Sequence, residues 1–538
     1  MFYFYHLLIV LYFIVLVLPG IGYPIAIFPQ GDEIMHIRSI RETIADGKWI
    51  LPELTGLPNP YKPPMLFWLG IAADKLLTIS FFSERFVSIL FGLGSVLLVF
   101  QIVRAYGRSH FYSFLIALTY AASFGAWKFS RLLMMEQGMT FFVLFFLSLY
   151  LVYDKKRKIK YLLAGSIVLG LGYFLKGPII IIYGIIIIIS FFFVDVVRIR
   201  RKTFFISFKY ITKYLTHSIL ILSLFLPLVW LFYLYFFEES GKQLIHFFFV
   251  NENAGKFHSE NQSAFRIIGG WLLYSFPYTL ILIFSLLIQL RTRVSSKRTR
   301  VSRALLLSLF FLTIFHLLPN RKDTYYIVAF LPILFITVGI SHTPDIFKSI
   351  FIRKSNLVFI ILFFLLCILF AYTNHQILAL ATFLFFALIT FLSILNGNKF
   401  FWATYIISIL IIPAFAYLII FPNLDPLIAN DIREYKINEY CVISENPWHG
   451  MEIQNQSPDS SILYSPPSTG KYMCEDKKLP ILSISSFYIP GGNYKATKQW
   501  LIWKSHLNLD YTDLLEIINN SGLLKFKTTI KLYEVDQI

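Results

Sequence analysis

The sequence predicts an α-helical polytopic membrane protein with a small α/β domain at its C-terminal end. The chain has 538 residues, of which 57% are hydrophobic and 14% are charged, and its mean hydropathy is +0.66. Apolar runs of about 20 residues, each long enough to cross a bilayer as a helix, recur as far as Pro422. A polar segment follows. We therefore expect a membrane domain over 1–422 and an extramembrane α/β domain over 423–538.

Basic residues indicate how the helices are oriented. The formal net charge is +18, and the Lys and Arg residues cluster in every second loop between apolar runs. The clusters are 154–160, 198–202, 291–303 and 351–355. Cytoplasmic loops carry such an excess of Lys and Arg. The positive charge is thus explained by membrane topology, and no nucleic-acid partner is expected.

The apolar runs give a helix count. The predicted helices are 3–23, 64–81, 85–104, 110–127, 137–153, 161–175, 178–196, 215–237, 267–290, 304–319, 324–341, 357–373, 377–396 and 400–421. The run at 64–81 contains Asp74 and Lys75, so it either lies partly at the interface or merges with the next helix. Without it about 13 spans remain, which places the N-terminus in the cytoplasm and the C-terminal domain in the periplasm. The first run, 3–23, is interpreted as a membrane helix that stays in the protein and not as a signal peptide that is removed.

The first outer loop, 24–64, contains a short amphipathic helix. Its apolar positions recur at the spacing of one helix face, and charged residues occupy the other face, so it suits the membrane surface. The apolar positions are Ile34, Ile37, Ile40 and Ile44. Asp32 stands at the start of this helix, where a carboxylate can cap free backbone amides. Several prolines and glycines between Gly47 and Pro64 predict a rigid, non-helical return.

Polar residues of the membrane domain are concentrated in the outer loops. Asp32, Glu33 and Lys62 lie together in the stretch from Gly31 to Trp68. Further polar residues fall in the outer segments 128–137, 175–178, 238–266 and 319–324. Ionisable groups are costly at a membrane face, so a functional site is the default interpretation. The sequence therefore indicates a site assembled at the outer face.

The C-terminal segment predicts strands and one helix. The runs 441–445, 460–465, 479–485 and 528–535 are typical of short strands, and 510–522 is typical of a helix that stops at Gly522. Cys441 and Cys474 lie in the predicted oxidising compartment and are candidates for a disulfide, which the spacing leaves open. Cys367 lies alone in an apolar run.

Several motifs, in order, resemble a known group of enzymes. They are Asp32-Glu33, Gly47-Lys48-Trp49, Pro52-Glu53-Leu54-Thr55-Gly56-Leu57-Pro58, Lys62-Pro63-Pro64, Trp68, Arg131 to Glu136, Leu175-Lys176-Gly177-Pro178, Phe248 to Phe257, and Arg321-Lys322 with Tyr325-Tyr326 and Pro332. The pattern is similar to that of the GT-C polyprenyl-phosphate-dependent glycosyltransferases, the group that contains protein O-mannosyltransferases and the bacterial lipid A aminoarabinose transferase. The resemblance covers about residues 1–340.

The resemblance implies transfer of a sugar from a polyprenyl-phosphate carrier, with inversion at the anomeric carbon. Asp32 matches the family's catalytic carboxylate, with a simple N-cap as the alternative. Glu136 matches a second acidic position, with an ion pair to Arg131 as the alternative. Lys62, bracketed by Tyr61 and prolines, is the first candidate for the carrier phosphate. The secondary candidates are Arg131, Lys176, Arg321 and Lys322, for which snorkelling to lipid headgroups is the alternative.

Other residues have less defined roles in this comparison. Glu33 is interpreted as structural or as an orienter of a cation. Tyr61 replaces an acid of the aminoarabinose transferase, which argues against a metal arrangement that depends on that acid. His246 and His258 are too far apart for a metal motif, and polar contact with substrate or headgroups is the expected role of His258. Tyr325 is a further candidate residue of the site, without an assigned role. No cofactor is expected, although a divalent metal remains open.

Two other classes of protein share the general composition. A lipid or lipid-linked-sugar flippase also has many spans with charges, but it usually shows repeated halves with broken helices. A third class is a membrane scaffold protein without catalytic activity, but such a protein would not explain the presence of Asp32, Lys62 and Glu136. The favoured partners are a polyprenyl-phosphate sugar donor, membrane lipids, and a lipid, glycan or protein acceptor. The expected location is the bacterial inner membrane.

Overall fold

The structure is a computed structural model that describes most of the membrane domain and part of the C-terminal region. The described residues are 2–24, 30–47, 49–54, 57–59, 61–199, 216–291, 296–373, 375–423, 439–444, 451, 453, 455, 461–465, 478–484, 494–503 and 527–535. Lys48, Thr55, Gly56, Cys474 and the predicted helix at 510–522 lie outside these ranges.

The membrane domain is helical, as the sequence predicts. Its first helices are α1 (Phe2–Val17), α2 (Gly31–Asp46), α3 (Met65–Leu77), α4 (Phe81–Ala105), α5 (His110–Ala121), α6 (Phe124–Ser130), α7 (Met135–Lys156), α8 (Lys160–Lys176) and α9 (Ile179–Ile199). Later α-helices are Phe225–Phe237, Gly241–His246, Gly255–His258, Phe265–Tyr274, Thr279–Arg291, Lys297–Leu317, Leu331–Ser341, Pro344–Phe351, Lys354–Thr373, Ile377–Asn396 and Phe401–Phe415. Thr216–Leu224, Thr324–Phe330, Gly397–Phe400 and Phe421–Asn423 are 3-10 helices, and Phe247–Ala254 and Ala416–Ile420 are π-helical.

The number of membrane spans differs from the sequence estimate. In the described part of the chain, 8 helical segments are long and apolar enough to cross a membrane, or 9 if one bent helix pair counts as a span. The estimate of about 13 spans is therefore not confirmed. The run at 64–81 is a helix of its own, because Thr78 adopts a positive φ of 70° and separates α3 from α4.

Two predicted helices are broken, and the breaks meet. The run 110–127 divides into α5 and α6, and the run 267–290 divides into two helices bent by 107°. The N–H of Phe124, at the first break, donates to the carbonyl of Phe276, at the second, over 2.9 Å. Pro277 has no N–H to continue a helix. Each break thus satisfies a backbone group of the other.

The amphipathic helix α2 packs against α3 rather than lying only on a lipid surface. Ile37 and Ile40 are fully buried, and a Cβ atom on Gly70 of α3 would lie 2.2 Å from the Cδ1 atom of Ile40. A glycine at this point therefore permits the close approach of the two helices. The N-cap is Gln30, and no side chain caps the helix, so Asp32 does not play the predicted capping role.

The segment that returns from α2 to the membrane is held by hydrogen bonds. The strands β1 (Glu53–Leu54) and β2 (Leu57–Pro58) pair antiparallel, and the N–H of Asn59 donates to the carbonyl of Pro52 over 2.7 Å. The amide Nδ2 of Asn59 donates to the Ser39 hydroxyl of α2, and its Oδ1 accepts the Tyr61 N–H over 3.0 Å. These bonds fix the backbone immediately before Lys62.

The C-terminal region contains a mixed sheet. Its strands are β3 (Glu439–Ile443), β4 (Ser461–Ser465), β5 (Ile481–Ser483), β6 (Tyr494–Trp503) and β7 (Lys527–Val535), in the spatial order β4-β3-β5-β7-β6. β3 is parallel to β4 and β5, whereas β7 is antiparallel to β5 and β6. The predicted strands are confirmed, and β6 was not predicted. Cys441 is disulfide-bonded, as the compartment suggested.

One residue of the C-terminal region contacts the helix that carries the predicted base. The side-chain amide of Asn455 donates to the carbonyl of Ile34 in α2 over 3.0 Å. In return, Nη1 of Arg41 in α2 donates to the carbonyl of Asn455 over 2.6 Å, while Nε and Nη2 of the same side chain donate to the carboxylate of Glu84 in α4. The C-terminal region is thereby joined to the polar side of α2.

The opposite end of the bundle has a buried charge cluster. Arg300 donates to both carboxylate oxygens of Asp195 at 2.5 and 2.8 Å, and to those of Asp154 at 2.6 and 3.3 Å. All three side chains are buried. The cluster joins α7, α9 and the helix Lys297–Leu317, next to the basic loops that predict the cytoplasmic side.

Replacing Arg300 by methionine should destabilise the helix bundle. The change leaves two carboxylates buried without their shared cation, and breaking such a pair costs about 3–5 kcal/mol. Thermal unfolding in detergent would measure the loss. The matched control is Arg298→Met on the same helix, where the side chain is exposed. Equal midpoints for the two variants would contradict the structural role of this cluster.

Candidate active site

The two neighbouring carboxylates at the start of α2 have different surroundings. Glu33 is 3% exposed and accepts hydrogen bonds from Arg85 Nε at 2.8 Å, Arg85 Nη2 at 3.2 Å and the Leu133 N–H at 2.9 Å. Asp32 forms no hydrogen bond and no ion pair with any residue that the structure describes. Glu33 therefore holds the helix in place, whereas the Asp32 carboxylate is not engaged by any described residue.

Cationic residues surround Asp32. Burial alone would raise the pKa of its carboxyl group, but nearby positive charges outweigh burial and hold this pKa below its ordinary value of 3.8. The groups responsible are the cations Lys62, Lys176 and Arg321, together with His36 at a pH low enough to protonate its ring. Asp32 is consequently an anion at neutral pH, and it faces the cations that the sequence proposed for a phosphate.

Lys62 lies against two residues of the fourth outer loop. Its Nζ atom donates to Glu252 Oε1 over 2.7 Å, and Lys256 Nζ lies 3.4 Å from the same oxygen. Burial lowers the pKa of Lys62, but Glu252 and Asp32 raise it above its ordinary value, so its ammonium group persists. Two ammonium groups thus share one carboxylate, which leaves positive charge available for an anionic ligand.

Glu136 is paired with Lys176 and not with Arg131. Lys176 Nζ donates to Glu136 Oε1, while Glu136 Oε2 is buried and has no hydrogen-bond partner in the described structure. The same ammonium lies 5.5 Å from the ring centre of Tyr325 and 5.6 Å from that of Tyr326. The KGP motif before α9 therefore places its lysine beside the second acidic position.

Arg131 is held away from this cluster. Its Nη1 atom donates to the carbonyl of Val17 and to the hydroxyl of Tyr417, the latter over 2.8 Å. Its guanidinium also lies 5.1 Å from the ring centre of Trp127. These contacts join α1, the turn before α7 and the last membrane helix, so the structure places Arg131 in the support of the fold.

Arg321 and Lys322 differ in how far their side chains are free to bind a ligand. Arg321 is half-exposed, lies 3.2 Å from Asp323 and acts electrostatically on Asp32, Lys62, Glu252 and Lys256. Lys322 is 5% exposed, and its Nζ atom donates to Asn261 Oδ1 over 2.8 Å. The structure therefore brings Arg321 to the cluster, whereas Lys322 holds the loop after Lys256.

The remaining candidates lie at the edge of the cluster. The Tyr61 ring meets Phe247 edge to face, with 5.3 Å between ring centres. Tyr325 is 7% exposed and lies between Lys176 and Asp323, to which its hydroxyl donates over 3.4 Å. His246 and His258 are exposed. Within the described residues, no group of three His, Cys, Asp or Glu side chains could hold a metal ion.

The structure adds three residues that the sequence candidates did not include. Glu252 and Lys256 are four residues apart and form the ion pair beside Lys62. His36 is 1% exposed, lies one helical turn after Asp32, and places Nδ1 2.9 Å from the carbonyl of Leu133. The spacing of four residues was the available signal in both cases, because it puts two side chains on one helix face.

Comparison with known proteins finds one matching family model and a shared fold. The family model described as dolichyl-phosphate-mannose-protein mannosyltransferase matches residues 49–247. The fold is shared with ArnT from Cupriavidus metallidurans: the structure bound to undecaprenyl phosphate gives a TM-score of 0.67, and the apo structure gives 0.63. Each is 12% identical and aligned over 97% of both chains. The GT-C resemblance and the helical GT-C fold are thus confirmed.

Two relatives from Aquifex aeolicus (strain VF5), both described as uncharacterized, extend the comparison. One is 26% identical over 337 residues, which cover 62% of this chain and 72% of the relative. The other is 24% identical over 360 residues, which cover 66% of each chain. The mannosyltransferase family match begins after α2, so the assignment of Asp32 depends on the motif order and on the geometry.

We expect Glu33→Gln to destabilise the protein much more than Asp32→Asn does. The first change removes the charge that three hydrogen bonds and a buried arginine surround, at a cost of about 3–5 kcal/mol. The second changes a carboxylate that has no hydrogen bond in the described structure. Denaturant or thermal unfolding in detergent measures both. Equal losses would show that Asp32, too, supports the fold.

Proposed function

We propose that the protein transfers a sugar from a polyprenyl-phosphate carrier to an envelope glycolipid, glycan or protein at the periplasmic face of the bacterial inner membrane. The reaction inverts the anomeric configuration, and Asp32 is the base. One observation carries this proposal: an ionised carboxylate without a hydrogen-bond partner in the described structure faces Lys62, Lys176 and Arg321. Such a site matches an acceptor hydroxyl on one side and a leaving phosphate on the other.

The carrier is proposed from the cations and from the relatives. The matching family is named for dolichyl-phosphate mannose, and the ArnT structure contains undecaprenyl phosphate. Both are polyprenyl phosphates. In this protein Lys62 and Lys256 share the single carboxylate of Glu252, and Arg321 adds a half-exposed guanidinium. A phosphate would satisfy these donors with charge-assisted hydrogen bonds.

An apolar cavity provides room for a lipid tail. It has a volume of about 1340 Å³ and lies among α9 and the helices Phe265–Tyr274, Thr279–Arg291 and Lys297–Leu317. Leu, Ile and Phe side chains supply most of its lining. Trp271 lies in its wall and packs against Phe330, with 5.5 Å between ring centres. An isoprenoid chain matches this lining because both are apolar.

In the proposed step two bonds form and two break. The acceptor oxygen attacks the anomeric carbon as its proton passes to Asp32. The bond from the anomeric carbon to the phosphate oxygen breaks, and its electron pair stays on the phosphate, where Lys62, Lys256 and Arg321 stabilise the charge. Glu136 is engaged by Lys176, which leaves Asp32 as the carboxylate for the base role. A single displacement of this kind inverts the anomeric centre.

Phosphate binding would also activate the base. The cations near Asp32 lower its pKa in the empty site, which makes it a weak proton acceptor. A bound phosphate neutralises those cations, so the pKa of Asp32 rises and its basicity increases. Under this proposal, the site gains its full basicity only when the donor is in place. This coupling also limits reactions of Asp32 before the donor has bound.

The first test is sugar transfer by the purified protein in detergent. Radiolabelled undecaprenyl-phosphate sugars would be supplied with a membrane extract from a strain that lacks the protein. We expect label transfer by the wild type and a loss of about 10²–10⁴-fold in Asp32→Asn, the range of general-base catalysis. Asp46→Asn, the same chemical change in the last turn of α2, is the matched control and should retain activity.

Three results would separate the parts of this proposal. Transfer that survives Asp32→Asn would exclude Asp32 as the base while leaving the enzyme class intact. No transfer by folded wild-type protein with any donor would exclude the transferase. Retention of configuration in the product would exclude the single displacement. The labelled product identifies the acceptor.

We expect kcat/KM to fall as the pH rises through about 8. Burial lowers the pKa of Lys256 to about 8 despite the opposing effect of Glu252, so its ammonium is present below that pH and is lost above it. The free enzyme then loses one donor for the phosphate. Arginine keeps its charge throughout this range, so Lys256→Arg should abolish this fall. If the fall in kcat/KM persisted unchanged in Lys256→Arg, the titration of a group other than Lys256 would be its cause.

A further inference from the structure

His36 has one nitrogen that the protein uses and one that it leaves without a partner. The ring is 1% exposed, and Nδ1 lies 2.9 Å from the carbonyl oxygen of Leu133. A carbonyl only accepts hydrogen bonds, so Nδ1 carries the proton in this contact. Nε2 is also buried, and it has no hydrogen-bond partner among the described residues.

The chemistry of Nε2 follows from this arrangement. Burial lowers the pKa of the His36 ring below 6.5, although Asp32 opposes the shift. The imidazole is therefore neutral at physiological pH, and with its proton on Nδ1 it presents a lone pair at Nε2. A buried acceptor without a donor costs about 1–3 kcal/mol, which a ligand that supplies a donor would recover.

The other open polar atoms near this ring are also acceptors. Glu136 Oε2 is buried without a partner in the described structure, and Glu136 lies in the first turn of α7, three residues after Leu133, which anchors His36. Asp32 lies one turn before His36 on the same face of α2. Both carboxylates act electrostatically on the ring. The site therefore has a cationic side at Lys62 and Arg321 and an acceptor side at α2 and α7.

We propose that Nε2 of His36 accepts a hydrogen bond from a ring hydroxyl of the sugar being transferred, and that His36 thereby selects among donors. A fully ionised phosphate has no hydrogen-bond donor, and an isoprenoid chain has none either, so neither can satisfy the acceptor side. A sugar joined to that phosphate brings several hydroxyl donors within a few ångströms of it. The inference rests on the proposed function, because it names how that site recognises its donor.

Two substitutions separate the nitrogens of this ring. In His36→Asn the amide nitrogen can replace Nδ1 and keep the bond to Leu133, while the acceptor at Nε2 is lost. In His36→Gln the longer side chain can place an acceptor near the Nε2 position while the Nδ1 bond is lost. Each variant would be tested with the most active undecaprenyl-phosphate sugar and with analogues of it that lack one hydroxyl each.

We expect wild type to lose about 10-fold or more in kcat/KM when one particular hydroxyl is removed from the sugar. In His36→Asn the same removal should cost less than about 2-fold, because the partner of that hydroxyl is already absent. His36→Gln should retain most of the discrimination. The affinity for undecaprenyl phosphate without a sugar should change less than about 2-fold in both variants.

Each contrary result has a definite meaning. Equal penalties for the missing hydroxyl in wild type and His36→Asn would overturn the role of His36 while leaving the transferase intact. So would loss of undecaprenyl-phosphate binding in both variants, since His36 would then support the fold. If His36→Asn does not fold, the other measurements still test the role of His36. That role would be overturned if His36→Gln lost the discrimination between the sugars, or if wild type showed no penalty for any missing hydroxyl. No transfer by wild type with any donor would overturn the proposed function itself.

Discussion

Arg85 of α4 reaches across the bundle to the first turn of α2, where it donates two hydrogen bonds to Glu33. The same guanidinium binds the carbonyls of Ile21 and Tyr23, and the same carboxylate accepts the Leu133 N–H. One buried ion pair thus joins four segments, namely α2, α4, residues 21–23 and the turn before α7. Since a buried charge that loses its partner is strongly destabilising, these segments have one stable arrangement. The positions of Asp32, His36 and Glu136 follow from it.

The other charged groups of the site are also paired with a group of opposite charge, with one exception. Lys176 is paired with Glu136, and Lys62 and Lys256 are paired with Glu252. Each ammonium is thereby tolerated in a half-buried position. Asp32 alone among these acids has no hydrogen bond or ion pair in the described structure, although several cations act on it. The proposed base role of Asp32 rests on this difference, because its carboxylate oxygens are open to a substrate.

The sequence predicted which loops would carry the site. Each outer segment contributes to the cluster: Asp32 and Lys62 from the first, Glu136 and Lys176 from the next two, and Arg321 from the last, with Glu252 between them. Membrane topology explains why residues so distant in sequence were expected to meet, because loops on one side of a bilayer are confined to one face. Arg131 and Lys322 belong to the same loops, yet their nearest acceptors are backbone and amide oxygens of the fold.

The sequence by itself predicted the helical membrane class and the C-terminal strands that matched, and it named Asp32, Lys62, Lys176 and Arg321, which the structure brings together, because hydrophobic period and charge placement are local properties. Only the tertiary structure decided the breaks between α5 and α6 and near Pro277, the partner of Glu136, and the contacts of His36 and Lys256. These depend on which buried groups meet across helices distant in sequence, and pairing of that kind is a property of the packed bundle.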